Sequence, residues 1–147
     1  MDKIWQEMYA AAKAVLAPRR ISEYVTAGEV SAAVLSKTGK IYTGVCIDTC
    51  STLGICAERN AIFTSQNLYP NQPVVSIAIA AYSNKDFTLS PVSPCGACRQ
   101  VMVETEARYN QPIRIILYGK AGTYIIPEGI NVLMPLRFVP DSLKDFE

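Results

Sequence analysis

The stretch 74-VVSIAIAAY-82 constrains this chain more than any other, because only Ser76 interrupts a run of apolar, largely β-favouring side chains. Nine residues are short for a buried helix, and a strand without polar alternation is covered on both faces. Its neighbours must therefore supply two layers of cover. Residues 2–17 place Ile4, Met8, Ala11, Ala12, Val15 and Leu16 at helical spacing, and Pro18 ends the pattern. The stretch 57-AERNAIFTSQNL-68 reads as a second helix with Ala61, Ile62 and Leu68 on its apolar side, and a third is expected from about Gly96 to Arg108. After a break at Ala27-Gly28, 30-VSAAVLS-36 and 40-KIYTGVCI-47 flank Lys37-Thr38-Gly39 as a hairpin. The stretch 82-YSNKDFTLSPVSP-94 reads as loop, and strands follow at 113–119 and 123–127. The order α-β-β-α-β-α-β-β predicts an α/β fold, a three-layer α/β/α sandwich on a mixed five-stranded sheet.

With 147 residues, half of them hydrophobic, the chain is expected to build one core and one domain over residues 1–147. The net charge is +1 and Arg19-Arg20 is the only basic pair, which argues against a nucleic-acid partner. No stretch approaches the roughly 18 apolar residues of a membrane span, and the N-terminus carries Asp2 and Glu7 where a secretory signal has a basic flank. A soluble, cytoplasmic protein is expected.

The chain has five cysteines and no histidine, so any zinc site must be made of thiolates and carboxylates. In 94-PCGAC-98, Cys95 and Cys98 share the first turn of a helix, where free N–H groups favour the thiolate. That motif is half of a metal site, or alternatively a redox dithiol. Cys56, opening the other helix that leaves the sheet, offers a third ligand. Three protein ligands leave a fourth tetrahedral position for water, the mark of a catalytic zinc. Glu58 can serve the same site only if Cys56 sits at the helix entry, outside regular geometry. There it would act as general acid and base; otherwise it complements the helix dipole. Arg59 is either a solvated helix residue or a cation that offsets the thiolate charge.

The pair 56-CAERNAIF-63 and 94-PCGACRQVM-102, separated by a strand, resembles the small zinc-dependent cytidine deaminases whose metal site is all cysteine. The resemblance runs from about residue 25 to about residue 138. It implies that Cys56, Cys95 and Cys98 bind one Zn²⁺ per subunit, that Glu58 shuttles protons and that Arg59 hydrogen-bonds the thiolates. It also implies the same sandwich, a homotetramer with shared active sites, and attack of a zinc-activated water on C4 of a cytosine ring with loss of ammonia.

The chain departs from that family where the sugar binds. Gly28 stands in the place of an aromatic, and Cys46-Ile47-Asp48 stands where the family has Asn-x-Glu gripping the ribose hydroxyls. A thiol is a weak donor and acceptor, and Asp is shorter than Glu. The expected substrate is therefore cytidine, deoxycytidine or a related cytosine nucleoside. The alternative is a different amino-heterocycle or a blasticidin S-type antibiotic, since blasticidin S deaminases also depart at the Glu. Phe138, in 133-LMPLRF-138, matches a family aromatic that covers a neighbouring pocket; otherwise it is a core residue. No role is assigned to Cys50 beyond a small loop residue.

Overall fold

The computed structural model describes residues 2–51, 53–83, 85–139, 141 and 143. Its helices are α1 (Lys3–Val15), α2 (Ala57–Leu68) and α3 (Gly96–Tyr109), with a 3₁₀ turn, η1, at Ile130–Leu133. Its strands are β1 (Arg19–Arg20), β2 (Thr26–Ser36), β3 (Ile41–Asp48), β4 (Val74–Ser83), β5 (Asp86–Phe87), β6 (Arg114–Gly119) and β7 (Gly122–Ile126). Five long strands lie in the order β3-β2-β4-β6-β7, with β4 and β6 parallel and the other pairs antiparallel. The short β1 and β5 pair with β2 and β4.

Alternation along β4 divides the core into two faces. Ile77 and Ile79 pack with Ile62 of α2 and Met102 of α3. Ala78 and Ala80 turn to the other face, where their small side chains leave room for Met8 and Ala12 of α1. Ile115 and Ile116 of β6 divide the same way. Each fully buried isoleucine contributes about 1.5–3 kcal/mol relative to exposure. The helix layers are thus α1 on one face and α2 with α3 on the other, the three-layer α/β/α arrangement expected. Tyr118 fixes α1 further, its hydroxyl donating to the Trp5 carbonyl at 2.8 Å.

The first long strand begins before the expected break. Gly28 lies inside β2 at φ +85°, within a register shift between Ala27 and Ser31. A Cβ there would sit 2.2 Å from the Ala17 carbonyl oxygen, so glycine marks a bulge rather than a strand end. Leu68 is 55% exposed instead of packing inward, because α2 reaches its end there and the chain turns through Tyr69. Within 82–94, β5 is a two-residue pairing too short to leave a periodic signal.

Candidate metal centre and active site

Because β3 and β4 both run antiparallel to β2, their C-terminal ends lie at one edge of the sheet. The helices that follow them, α2 and α3, begin at that edge. The two strand ends flank β2, and their shared direction brings both helix starts to the same place. Cys56 is the N-cap of α2 and Cys95 the N-cap of α3, both with extended backbone, and neither side chain makes a capping hydrogen bond. Cys98 is buried in the first turn of α3.

The approach of α2 to the sheet depends on Gly44 of β3. A Cβ at that position would meet the Ala61 nitrogen at 2.5 Å and the Ala57 carbonyl oxygen at 2.8 Å. Asn60 secures the contact, its Nδ2 donating to the Val45 carbonyl at 3.1 Å. These two residues set the depth at which Cys56 enters the site. Sequence reading missed both; the signal for Asn60 was its position one turn after Cys56, facing an edge strand with unpaired carbonyls.

The Cys56 and Cys95 sulfurs are 3.7 Å apart and the Cys95 and Cys98 sulfurs 3.5 Å apart, with all three within 4.8 Å of one another. Tetrahedral Zn–S bonds of about 2.3 Å imply sulfur separations of about 3.8 Å, so the cluster has the span that a zinc ion needs. The electrostatics agree. Burial raises the Glu58 carboxyl above its ordinary range, against the lowering influence of its own backbone, Cys98 and Arg59. Burial and then the Glu58 charge push the Cys98 thiol well up. For Cys95, burial acts upward, but the Cys98 N–H and the thiols of Cys98 and Cys56 outweigh it and bring it down. Such a donor set resists carrying all its negative charge without a cation at its centre.

Arg59 supplies part of that balance. Its Nη2 donates to Cys56 Sγ at 3.5 Å, and this bond, with help from Cys98, holds the guanidinium firmly cationic. Its buried Nε has no hydrogen-bond partner among the described residues.

Cys56, Glu58, Arg59 and Cys95 line one cavity of about 430 Å³, together with Cys46 and Asp48 from the end of β3. Its walls also include Glu29 and Val30 from the β2 bulge and Val92 and Ser93 from the loop before α3, none of which stood out in the sequence. Cys46 is buried and accepts a hydrogen bond from the Val30 N–H at 3.3 Å, so its sulfur closes the bulge. Asp48 is exposed at the cavity rim. Phe138 lies outside this cavity; it is 49% exposed, which rules out the core alternative, and its carbonyl accepts from Gln100 Nε2 at 3.2 Å. Cys50 is exposed and does not line the cavity.

Residues 5–110 match the family model described as the cytidine and deoxycytidylate deaminase zinc-binding region. The chain belongs to this zinc-dependent deaminase family. Its relatives include a cytidine deaminase of Halalkalibacterium halodurans, 43% identical over 118 residues, which span 80% of this chain and 82% of that one. The cytidine deaminase structure from Burkholderia pseudomallei superposes with a TM-score of 0.70 at 28% identity, covering 94% of this chain and all of the other. The Bacillus anthracis cytidine deaminase structure, at 20% identity and a TM-score of 0.64 over 97% of this chain and 95% of its own, shows the same fold. Family membership makes the chain a hydrolytic deaminase with a zinc cofactor, and Cys56, Cys95 and Cys98 are the group of sulfurs that could hold the ion. Among the described residues, no helix of this deaminase is long and apolar enough to cross a membrane.

Proposed function

We propose that this deaminase converts cytidine, deoxycytidine or a close cytosine nucleoside to the corresponding uracil compound, consuming water and releasing ammonia. The observation that carries the reading is the meeting of three thiols at zinc-binding separations beside a cavity that Cys56, Cys95 and buried Glu58 line. Cys56, Cys95 and Cys98 hold the ion. Zinc bound there supplies a Lewis acid that lowers the pKa of water toward neutrality. Glu58 takes a proton from the attacking water and delivers it to ring N3 as the new C4–O bond forms. It then carries the second proton to the exocyclic nitrogen as the C4–N bond breaks. The raised affinity of Glu58 for protons suits it to both steps. Arg59 partly offsets the charge of the sulfurs through Cys56.

The cavity's charge favours a nucleoside over its phosphate. Glu29 and Asp48 are carboxylates on its wall, and the one cation among the described lining residues, Arg59, is engaged by Cys56. A phosphate would meet repulsion from these carboxylates, and the lining guanidinium already neutralises the thiol side of the site. Under the same reading the enzyme works in the cytoplasm as a homotetramer in pyrimidine salvage. Five free cysteines suit a reducing compartment, and fully exposed Leu136 with half-exposed Phe138 offers apolar surface for a second subunit.

Cys46 favours a second reading of substrate choice. Its sulfur is committed to the Val30 N–H, so this position offers no amide to a ribose hydroxyl. That leaves room for a cytosine nucleoside analogue of the blasticidin S type or another amino-heterocycle. A panel of cytidine, deoxycytidine, deoxycytidylate, free cytosine, blasticidin S and non-cytosine amino-heterocycles, read by ammonia release, decides between them. Efficient turnover of cytidine or deoxycytidine with poor turnover of deoxycytidylate supports the first reading. Turnover confined to the other compounds supports the second.

A further inference from the structure

We infer that Arg99 is the positioning residue of the metal loop, its guanidinium holding the backbone that leads to Cys95. The inference rests on the metal reading above. Three consecutive residues leading into α3 each receive a hydrogen bond from Arg99. Its Nη2 donates to Ser93 Oγ at 2.9 Å, its Nε to the Pro94 carbonyl at 2.8 Å, and its backbone N–H to the Cys95 carbonyl at 2.9 Å. The remaining side-chain donor, Nη1, reaches the Leu133 carbonyl at the end of η1, 2.7 Å away and 34 residues further along the chain.

Such an anchor is needed because residues 91–95 belong to no helix or strand, and Cys95 makes no capping bond of its own. Beyond the contacts of its sulfur with the Cys56 and Cys98 thiols, Cys95 depends on the Arg99 fork to fix the backbone that leads to it. The fork also orients Ser93, a cavity wall residue, so one guanidinium holds both the pocket wall and the Pro94 carbonyl next to Cys95. Its far end is secured in turn. Glu106 Oε1 accepts from the Ile130 N–H at 2.9 Å and from the Ile113 N–H at 2.8 Å, holding the start of η1 against α3 and β6. A lysine cannot replace this arrangement: its single ammonium cannot reach three acceptors in the directions that a planar guanidinium serves.

The test compares Arg99→Lys, Ser93→Ala and Glu106→Gln with wild type, each loaded with Zn²⁺ or Co²⁺. The readouts are metal transfer to a chromogenic chelator, the visible Co²⁺ spectrum and Tm. Glu106→Gln weakens the η1 tether without touching residues 93–95, so it reports what general loosening does. Arg99→Lys is expected to release zinc about 10-fold faster, the scale typical of lost ligand-orienting partners, with a shifted Co²⁺ spectrum. Ser93→Ala removes one bond of the fork and is expected to release zinc faster than wild type but less so than Arg99→Lys, keeping the test open if Arg99→Lys fails to fold. Glu106→Gln is expected to lower Tm with a wild-type spectrum. Wild-type release rates and spectra in both fork variants would overturn the inference, as would equal acceleration by Glu106→Gln. A wild-type chain that takes up neither metal overturns the metal reading itself, a result visible before any variant is made.

Discussion

Cys56 and Cys95, 39 residues apart in sequence, face each other across the N-termini of α2 and α3 with their sulfurs 3.7 Å apart. Further along the same two helices, Gln66 of α2 donates to Thr105 Oγ1 at 3.3 Å and accepts from Arg108 Nη1 at 2.8 Å, so the metal centre ties the starts of a layer that is also joined nearer its other end. Metal analysis should find one Zn²⁺ per chain. Cys95→Ser should lose the ion and show a lower Tm, whereas Cys50→Ser should match wild type in both, since Cys50 is exposed and outside the cavity. Full zinc retention in Cys95→Ser would remove that residue from the ligand set.

Gly44 sets the depth of α2. Gly44→Ala places a methyl 2.5 Å from the Ala61 nitrogen, against helix backbone that cannot swing aside. Overpacking of this kind costs about 1–3 kcal/mol. The expected result in chemical denaturation is a lower midpoint with an unchanged slope, together with reduced activity because Cys56 moves with the helix. A midpoint equal to wild type would show that α2 has slack at this contact.

Alkaline pH should act through Tyr118. Burial, reinforced by neighbouring Tyr9, pushes its phenol up to about 12, while in the unfolded chain it ionises near the ordinary value of about 10. The unfolded state therefore loses this proton first. The contribution of Tyr118 to stability is fully present below about pH 10 and is lost as the pH rises towards 12. Tyr118→Phe should flatten the decline over that window and, by removing the bond to the Trp5 carbonyl, cost about 1 kcal/mol at neutral pH. Denaturation midpoints across the alkaline range check both signs.

Cys46→Asn tests why a thiol stands where a sugar-binding amide was expected. An amide at this point can offer a donor and an acceptor to the cavity but must give up, or share, the Val30 N–H that Cys46 Sγ now accepts. If a missing amide limits ribose recognition, KM for cytidine should fall by about 10-fold, the scale of one added hydrogen bond, with kcat little changed. A rise in KM would instead mean that the bulge at Gly28–Val30 matters more than the amide.

Much of this architecture was legible because periodicity reports burial directly. The apolar run of β4 required cover on both faces, and Ala57–Leu68 emerged at the bounds its pattern gave. The bulge in β2 was hidden because Gly28 reads as punctuation, and only the close carbonyl of Ala17 shows why glycine belongs inside a strand. In the site, the cysteine spacings and Glu58 stood out since few residue types can do their chemistry. Arg99, Asn60 and Gly44 did not, because their roles lie in contacts with backbone atoms distant in sequence. Phe138 was tied to a neighbouring pocket, and it stands half-exposed outside the cavity of its own chain.

If Glu58 moves protons at a zinc site assembled from Cys56, Cys95 and Cys98, its removal must cost turnover but not metal. Ammonia release from cytidine and deoxycytidine by zinc-loaded wild type and zinc-loaded Glu58→Ala, at matched metal content, tests it most directly. Wild type should turn over at least one of the two nucleosides, while Glu58→Ala should keep its zinc and its fold but lose activity by about 10²–10⁴-fold. Undiminished ammonia release in the zinc-replete Glu58→Ala variant would contradict that role.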